Sequence, residues 1–385
     1  MSANRPIYLD SNATTPVDAR VLKAMLPWFS DAFGNPSSVE HAYGAEAASA
    51  IERARDQVAT AISARSGEVI FTGSCTEADN LAIVGAVRAA GGIRHVVSTA
   101  IEHPAVLESL RQLEREGHRI TIVGVDESGT VRLDELEAAI RDDAFLVSVM
   151  GANNEVGTIQ PLAEVARLCQ ASGTLFHSDL AQLPAYARIS VDDLGLDLAS
   201  FSGHKVYGPK GVGALYTRRR RPRITLSALT WGGGQEKGLR SGTINTPLVV
   251  AFGEAMAIAA RDWQADSSRI GALRNAMRDH LLLEVPGVSV NGHPEHRLAN
   301  NLSLSIDGIE PLALMRLLRE TLAFSASSAC STESFVTSHV LLAMWGDGQR
   351  SRQAFRLSPG RLTTEEDIQV ASAALVGGIE TLRRL

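Results

Sequence analysis

Lys205 stands in the run SFSGHKVYGPKGVGALY, Ser200 to Tyr216, between an apolar stretch and a loop rich in glycine and proline. Most lysines are solvated surface charges. One held partly buried in so tight a setting can lose its proton and condense with an aldehyde. The matching aldehyde is pyridoxal phosphate, whose ring acts as an electron sink when a carboxylate keeps its pyridine nitrogen protonated. Asp179, which closes LFHSD, is the candidate, although a carboxylate there could equally cap a helix or a turn. The interval from Asp179 to Lys205 suits one helix-bearing crossover. Such a cofactor needs its phosphate held where backbone N–H groups and small hydroxyls point outward, at a helix N-terminus. Thr76 in FTGSCTEADNLAI is placed to do this with Cys75 beside it, and Ser202 and His204 could complete the phosphate cup. The plain reading of Thr76 and Asp79 is a capping box, and both readings can hold together.

Three further residues have chemistry to offer. His103, in STAIEHPAVLE, is either structural or a flat ring that stacks on the cofactor and moves protons near neutral pH. Cys330 lies in FSASSACSTES, where small polar neighbours argue for an accessible thiol, whereas Cys169 in the helical ARLCQASG reads as packing. Arg356 in FRLSPGR is a surface strand residue by default. Facing a site, its fork would instead grip a substrate carboxylate through two hydrogen bonds.

The elements that must position these residues alternate. Helical patterns (AEAASAIERARDQVATAIS, TEADNLAIVGAVRAA, HPAVLESLRQLEREG, PLAEVARLCQASG) are interleaved with β-rich runs (EVIFTG, RHVVSTA, RITIVGV, AFLVSVMGA, TLFHSDLA). That rhythm predicts an α/β fold with a mainly parallel sheet. Sites in such sheets lie beyond the carboxyl ends of the strands, where Thr76, His103, Asn154 and Asp179 then converge. Two long helical patterns near 247–262 and 265–283 precede a change of texture: VSVNG, NNLSLSID, a helix from Glu310 and a last helix from about Thr364. The expected division is a large cofactor-binding domain over 15–255 and a small α+β domain over 1–14 plus 256–385 that carries the Cys330 loop.

With 385 residues, 45% hydrophobic and 21% charged, the chain has the material for more than one core. A net charge of −6 gives no reason to expect nucleic-acid binding. The basic run Arg218–Arg223 reads as a solvated turn rather than a partner patch. Three scattered cysteines form neither a disulfide framework nor a zinc pattern. The start MSANRPIYLD lacks a signal pattern, and no stretch nears the roughly 20 apolar residues that span a bilayer. A cytoplasmic protein with reduced thiols is expected, with no metal and no membrane.

Taken together, the motifs resemble the NifS/IscS-type cysteine desulfurases, fold type I pyridoxal-phosphate enzymes of the class V aminotransferase group. The likeness runs nearly end to end, through YLDSNATTPV, FGNPSS, TEADNLAI, EHPAVL, NNEVGTIQP, SFSGHKVYGPKGVGALY, GGGQEKGLRSGT, SSACST and FRLSPGRLTTEEDI. It implies that Lys205 carries the cofactor, Asp179 pairs with the pyridine nitrogen and His103 stacks on the ring. Asn154 and Gln182 contact the phenolic oxygen. Thr76, Ser202 and His204 hold the phosphate, and Thr243 reaches the phosphate of the neighbouring subunit of a homodimer. Arg356 binds the substrate carboxylate, and Cys330 takes sulfur from L-cysteine as a persulfide for an acceptor protein. Departures from the family pattern are Leu180 and Leu183 in DLAQL where DATQS is typical, Gly151-Ala152 where a histidine is common before NNE, and Ser327 where a glycine is frequent. The interval after Cys330 is long, as in members with a flexible sulfur-carrying loop.

The chain stops at ETLRRL, without the tail by which housekeeping members dock iron–sulfur scaffolds. A dedicated acceptor of the DndA kind, serving DNA phosphorothioation, joins iron–sulfur assembly and tRNA thiolation as an expectation. Two other readings compete with the desulfurase. A selenocysteine lyase or class V aminotransferase keeps the cofactor but not the need for Cys330. A non-catalytic sulfur relay on the same fold would not retain both Lys205 and Asp179.

Overall fold

The computed structural model describes residues 5–219, 223–326 and 337–385. Its largest sheet has seven strands: β2 (Val69–Thr72), β3 (His95–Thr99), β4 (Arg119–Val123), β5 (Leu146–Ser148), β6 (Leu175–Asp179), β7 (Leu198–Ser202) and β8 (Gly213–Thr217), numbered after a short β1 (Ile7–Tyr8). Their order across the sheet is β2-β8-β7-β6-β5-β3-β4. The neighbours from β7 to β4 all pair in parallel, while β8 runs antiparallel to both β7 and β2. Runs such as HVVST and GALYT are fully buried because helices cover both faces, as a parallel sheet requires. Only β4, at the edge, turns Arg119 and Ile122 outward. The strands expected from the β-rich runs all form, and Cys169 is buried in the helix Leu162–Ser172.

The remaining strands build a second unit of sheet. They are β9 (Val288–Asn291), β10 (Leu302–Ile306), β11 (Leu322–Ala323), β12 (Ser325–Ala326) and β13 (Ala354–Leu357). Strands β12-β13-β10-β9 form an antiparallel sheet, and β11 pairs in parallel with β1. The N-terminal segment thus joins the C-terminal third, and Leu9 sits in one apolar cluster with Leu304, Phe355 and Leu375.

The sequence patterns near 247–262 and 265–283 are not two helices. Thr246–Glu284 is one helix of 39 residues, about 58 Å long. Asp262-Trp263-Gln264-Ala265 contains neither glycine nor proline to stop it. The periodicity breaks because the apolar stripe changes the core it faces. Val249, Phe252 and Met256 enter the core under the large sheet, whereas Leu273, Met277 and Leu281 enter the core of the smaller one.

Gly213 marks where the main sheet meets the helix Cys75–Ala90. A Cβ there would lie 2.5 Å from the Phe201 carbonyl oxygen and 2.8 Å from the Ser74 carbonyl carbon, so only glycine lets the helix N-terminus approach β8 so closely. A second tie fixes the loop 232–243. Both terminal nitrogens of Arg55 bond the Glu236 carboxylate at 2.8 Å, and Glu236 Oε2 also accepts from the Phe71 N–H at 2.8 Å. Both side chains are buried, and Arg55 stacks 4.7 Å from the Phe71 ring centre. Glu236 and Lys237 are held at φ of 48° and 61° in this turn, a left-handed backbone that non-glycine residues adopt only when their surroundings demand it.

Candidate active site

The carboxyl ends of the parallel strands open into a cavity of about 340 Å³. Thr76, His103, Asn154 and Asp179 line it together, with Lys205, Ser202, His204, Gln182, Cys75 and Arg356. Lys205 sits in the one-turn helix Gly203–Lys205 that follows β7. Its Nζ donates to the carbonyls of Asn12 and Ala13, the latter at 2.8 Å. Asp179 ends β6, and its Oδ1 accepts from the Ala181 N–H at 2.9 Å and from the Cys75 thiol at 3.4 Å.

Helix N-termini build two corners of the cavity. Ser74 caps the helix Cys75–Ala90, accepting from the Glu77 N–H at 3.1 Å, while Glu77 accepts from the Gly73 N–H at 2.6 Å. The expected Thr76–Asp79 capping box therefore does not form, and the cap sits two residues earlier, at Ser74. Thr76 is set free to face the cavity, and Asp79 falls into the interior, fully buried. The S-x-x-E signal for this cap was in the same run of sequence. His103 caps the helix Pro104–Arg115, its Nδ1 accepting from the Ala105 N–H at 3.1 Å. A neutral ring held so carries its proton on Nε2. Burial lowers the pKa of His103, and the charge of Asp179 pulls the other way. His204 bonds Thr14 at 3.1 Å and is pushed down to about 4 by burial and by Lys205, so it is a neutral hydrogen-bonding group.

Beneath Asp179 lies a second buried layer. Asp79 Oδ1 is 3.6 Å from Nε2 of His177, whose ring bonds the hydroxyls of Ser148 and Ser200. Burial and the nearby charge of Asp179 push the Asp79 carboxyl well up, and burial drops His177 to about 3. Both shifts favour the uncharged forms. Thiol groups follow the same rule: burial, then Asp179, drive the Cys75 thiol upward.

Two buried glutamates flank the site. Glu102 accepts from Thr99 and from the Met150 N–H, and burial raises it to about 8; Glu155 accepts from Ser338 and is raised to about 7. A carboxyl that is harder to ionise when folded holds protons that the unfolded chain releases above its ordinary value near 4.5. Stability contributed by that proton is present below pH 4.5 and lost as pH rises toward 8. The urea midpoint should accordingly fall between pH 5 and pH 8, and Glu102→Gln should flatten that slope. An unchanged slope in the variant would remove Glu102 as its source.

Residues 7–370 match the family model described as aminotransferase class-V. The chain belongs to the class-V aminotransferase family. Within this family it falls among the cysteine desulfurases. It is 43% identical to cysteine desulfurase IscS of Neisseria meningitidis, over all of this chain and 95% of that one. A solved NifS-like protein superposes with a TM-score of 0.90 at 37% identity, covering 99% of this chain and all of the other. DndA from Streptomyces lividans superposes with a TM-score of 0.77 at 37% identity, over 91% and 99% of the two chains.

In this class-V chain the lining of the cavity does not include every expected site residue that is described. Thr243 is exposed and does not line it, and Cys330 lies outside the described residues, as do Ser327 and residues 220–222 of the basic run. Ser325, which leads into that stretch, lines the cavity. Sequence reasoning missed Asp10, Asn12 and Ser74. Asn12 Nδ2 donates to Gln182 at 2.9 Å, and Asn12 accepts from Asn301 at 3.1 Å. The run YLDSNATTPV had marked the segment without giving either residue a task.

Proposed function

We propose that the cavity holds pyridoxal phosphate on Lys205 and Asp179, and that the enzyme takes the sulfur of L-cysteine onto Cys330 and hands it to an acceptor protein. The observation that carries this reading is the convergence of an amine, a carboxylate, an imidazole and a helix N-terminus on one cavity of about 340 Å³. That donor set fits the cofactor. The first turn of Cys75–Ala90 has backbone N–H groups without helical partners, and with Thr76, Ser202 and His204 it would hold a phosphate. Asp179 would meet the pyridine nitrogen, Asn154 and Gln182 the phenolic oxygen, and His103 the ring face. Bound there, pyridoxal phosphate supplies an electron sink that loosens the bonds at the α- and β-carbons of an amino acid.

The protein's own residues do the rest. Arg356, largely buried in the cavity wall, binds the carboxylate of the substrate. Lys205 carries its α-proton. The Cys330 thiolate forms an S–S bond to the substrate sulfur as the Cβ–S bond breaks. The electron pair stays with carbon, which takes up a proton, delivered by His103, to become the methyl group of alanine. The likeness to both IscS and DndA supports a protein acceptor. Thr243 completes the phosphate site of a second copy in a homodimer, and the chain divides into the 15–255 and 1–14 plus 256–385 parts along the helix Thr246–Glu284. We place the reaction in the cytoplasm: among the described residues no helix is long and apolar enough to cross a membrane, and Cys75 and Cys169 are free thiols.

Incubated with L-cysteine and no reductant, the pure protein should form one alanine per chain and gain the mass of one sulfur atom. With a reducing thiol, alanine and sulfide should then accumulate together. Pyruvate in place of alanine, or a keto acid with no sulfur transferred, would overturn the proposal.

A further inference from the structure

Arg356 is buried and is held at two points. One terminal nitrogen donates to the Asn154 carbonyl at 2.7 Å, and the other to Asp10 Oδ1 at 2.6 Å. Among the described residues its buried Nε has no partner, so the guanidinium is held end-on by its two terminal nitrogens, each of which has a second N–H to spare. Asp10 uses its second oxygen as well, accepting from the Ser325 hydroxyl at 2.7 Å. Ser325 and Arg356 are directly opposed residues on the paired strands β12 and β13. The backbone of Asp10 bridges to Ser358 two residues beyond Arg356, so the N-terminal segment crosses the end of this strand pair. One carboxylate thus spans a cross-strand pair at the wall of the cavity that both residues line.

We propose that Asp10 is the positioning residue for substrate-carboxylate recognition, clamping Arg356 against Ser325 so that the fork presents its free donors to the cavity. The inference rests on the reading that Arg356 receives the substrate carboxylate. A long arginine side chain has many rotamers, and a fork fixed before the ligand arrives loses less freedom on binding. A neutral partner in place of Asp10 would remove the charge-assisted bond that fixes the fork. Asn154 would then hold one end alone. The effect should fall on ligands that carry a carboxylate and spare those that do not.

The test compares the full-length, cofactor-loaded enzyme with Asp10→Asn, Asp10→Glu, Ser325→Ala and Arg356→Gln. Binding of L-alanine, the product with its carboxylate, is measured beside binding of L-alaninamide by titration of the enzyme's visible absorbance. In Asp10→Asn the dissociation constant for L-alanine should rise about tenfold or more, the change expected for one charge-assisted hydrogen bond, with that for L-alaninamide unaltered. Asp10→Glu should recover part of the loss, and Ser325→Ala should show a smaller effect in the same direction. A generally damaged site would weaken both ligands alike, leaving their ratio unmoved, and that outcome overturns the proposal. Tighter binding of L-alanine in Asp10→Asn also overturns it, because Asp10 would then be a competitor for Arg356. If Arg356→Gln leaves the ratio unmoved, the parent reading of Arg356 fails. If only Arg356→Gln moves it, the role of Asp10 alone is lost.

Discussion

Lys205→Ala should purify without the visible absorbance of bound cofactor and turn over L-cysteine roughly 10³-fold more slowly or worse, the scale on which a positioned proton-transfer group contributes. The lysine does two things in the structure. Its Nζ reaches the cavity that Asp179 and His103 share, and it holds the carbonyls of Asn12 and Ala13. Truncation removes both, and leaving those carbonyls without their donor carries a stability cost of about 1–3 kcal/mol. Thermal unfolding separates the two effects. A folded variant with a modestly lower melting point and no retained cofactor supports the assignment. Lys210→Ala is the matched control, since that lysine is exposed five residues further on and should leave absorbance and activity intact. Borohydride reduction that still fixed cofactor to another lysine of Lys205→Ala, with activity preserved, would show that the wrong amine had been chosen.

Cys330→Ser should bind cofactor and L-cysteine as the parent does and yet form almost no alanine or sulfide. The thiolate is the nucleophile in sulfur transfer, and a serine hydroxyl can neither ionise near neutral pH nor hold a persulfide. The other two thiols cannot substitute. Burial and then the Asp179 carboxylate push Cys75 well above the ordinary thiol range, and burial drives Cys169 up to about 12. Neither supplies thiolate at neutral pH. After one turnover without reductant, peptide mass spectrometry should find the added sulfur on the peptide containing Cys330, and Cys169→Ser should remain active. Sulfur found on the peptides of Cys75 or Cys169, or full activity in Cys330→Ser, would rule out this route.

What could be read from the sequence was local. Lys205, Asp179, Thr76 and His103 each stand at the end of a strand, and period and turn chemistry over a dozen residues locate such ends. The parallel sheet that gathers them then follows from the βα rhythm. What escaped were relations across the chain. Asp10 meets Arg356 and Asn12 meets Gln182 only because the N-terminal segment crosses the top of both sheets, 346 and 170 residues from its partners. No window of sequence contains both members of such a pair. The long helix failed for another reason: a hydrophobic stripe that turns from one core to another looks like two helices when only its phase is followed. The cap at Ser74 was misplaced by two residues because two overlapping S/T-x-x-D/E spacings compete in one run. Burial decided between them, sending Asp79 inward.

The buried pair of Arg55 and Glu236 has a bearing on assembly. It shapes the loop that ends in Thr243 within a single chain, before any second copy is met. Ordering a backbone costs about 1–2 kcal/mol per residue, and here that entropy is surrendered during folding. A partner docking against residues 232–243 would then select a surface that already exists, and its affinity would not be discounted by the loss of loop freedom. In the proposed homodimer, encounter between two copies would be a rigid-body event, whose rate is governed by diffusion and orientation instead of by loop rearrangement.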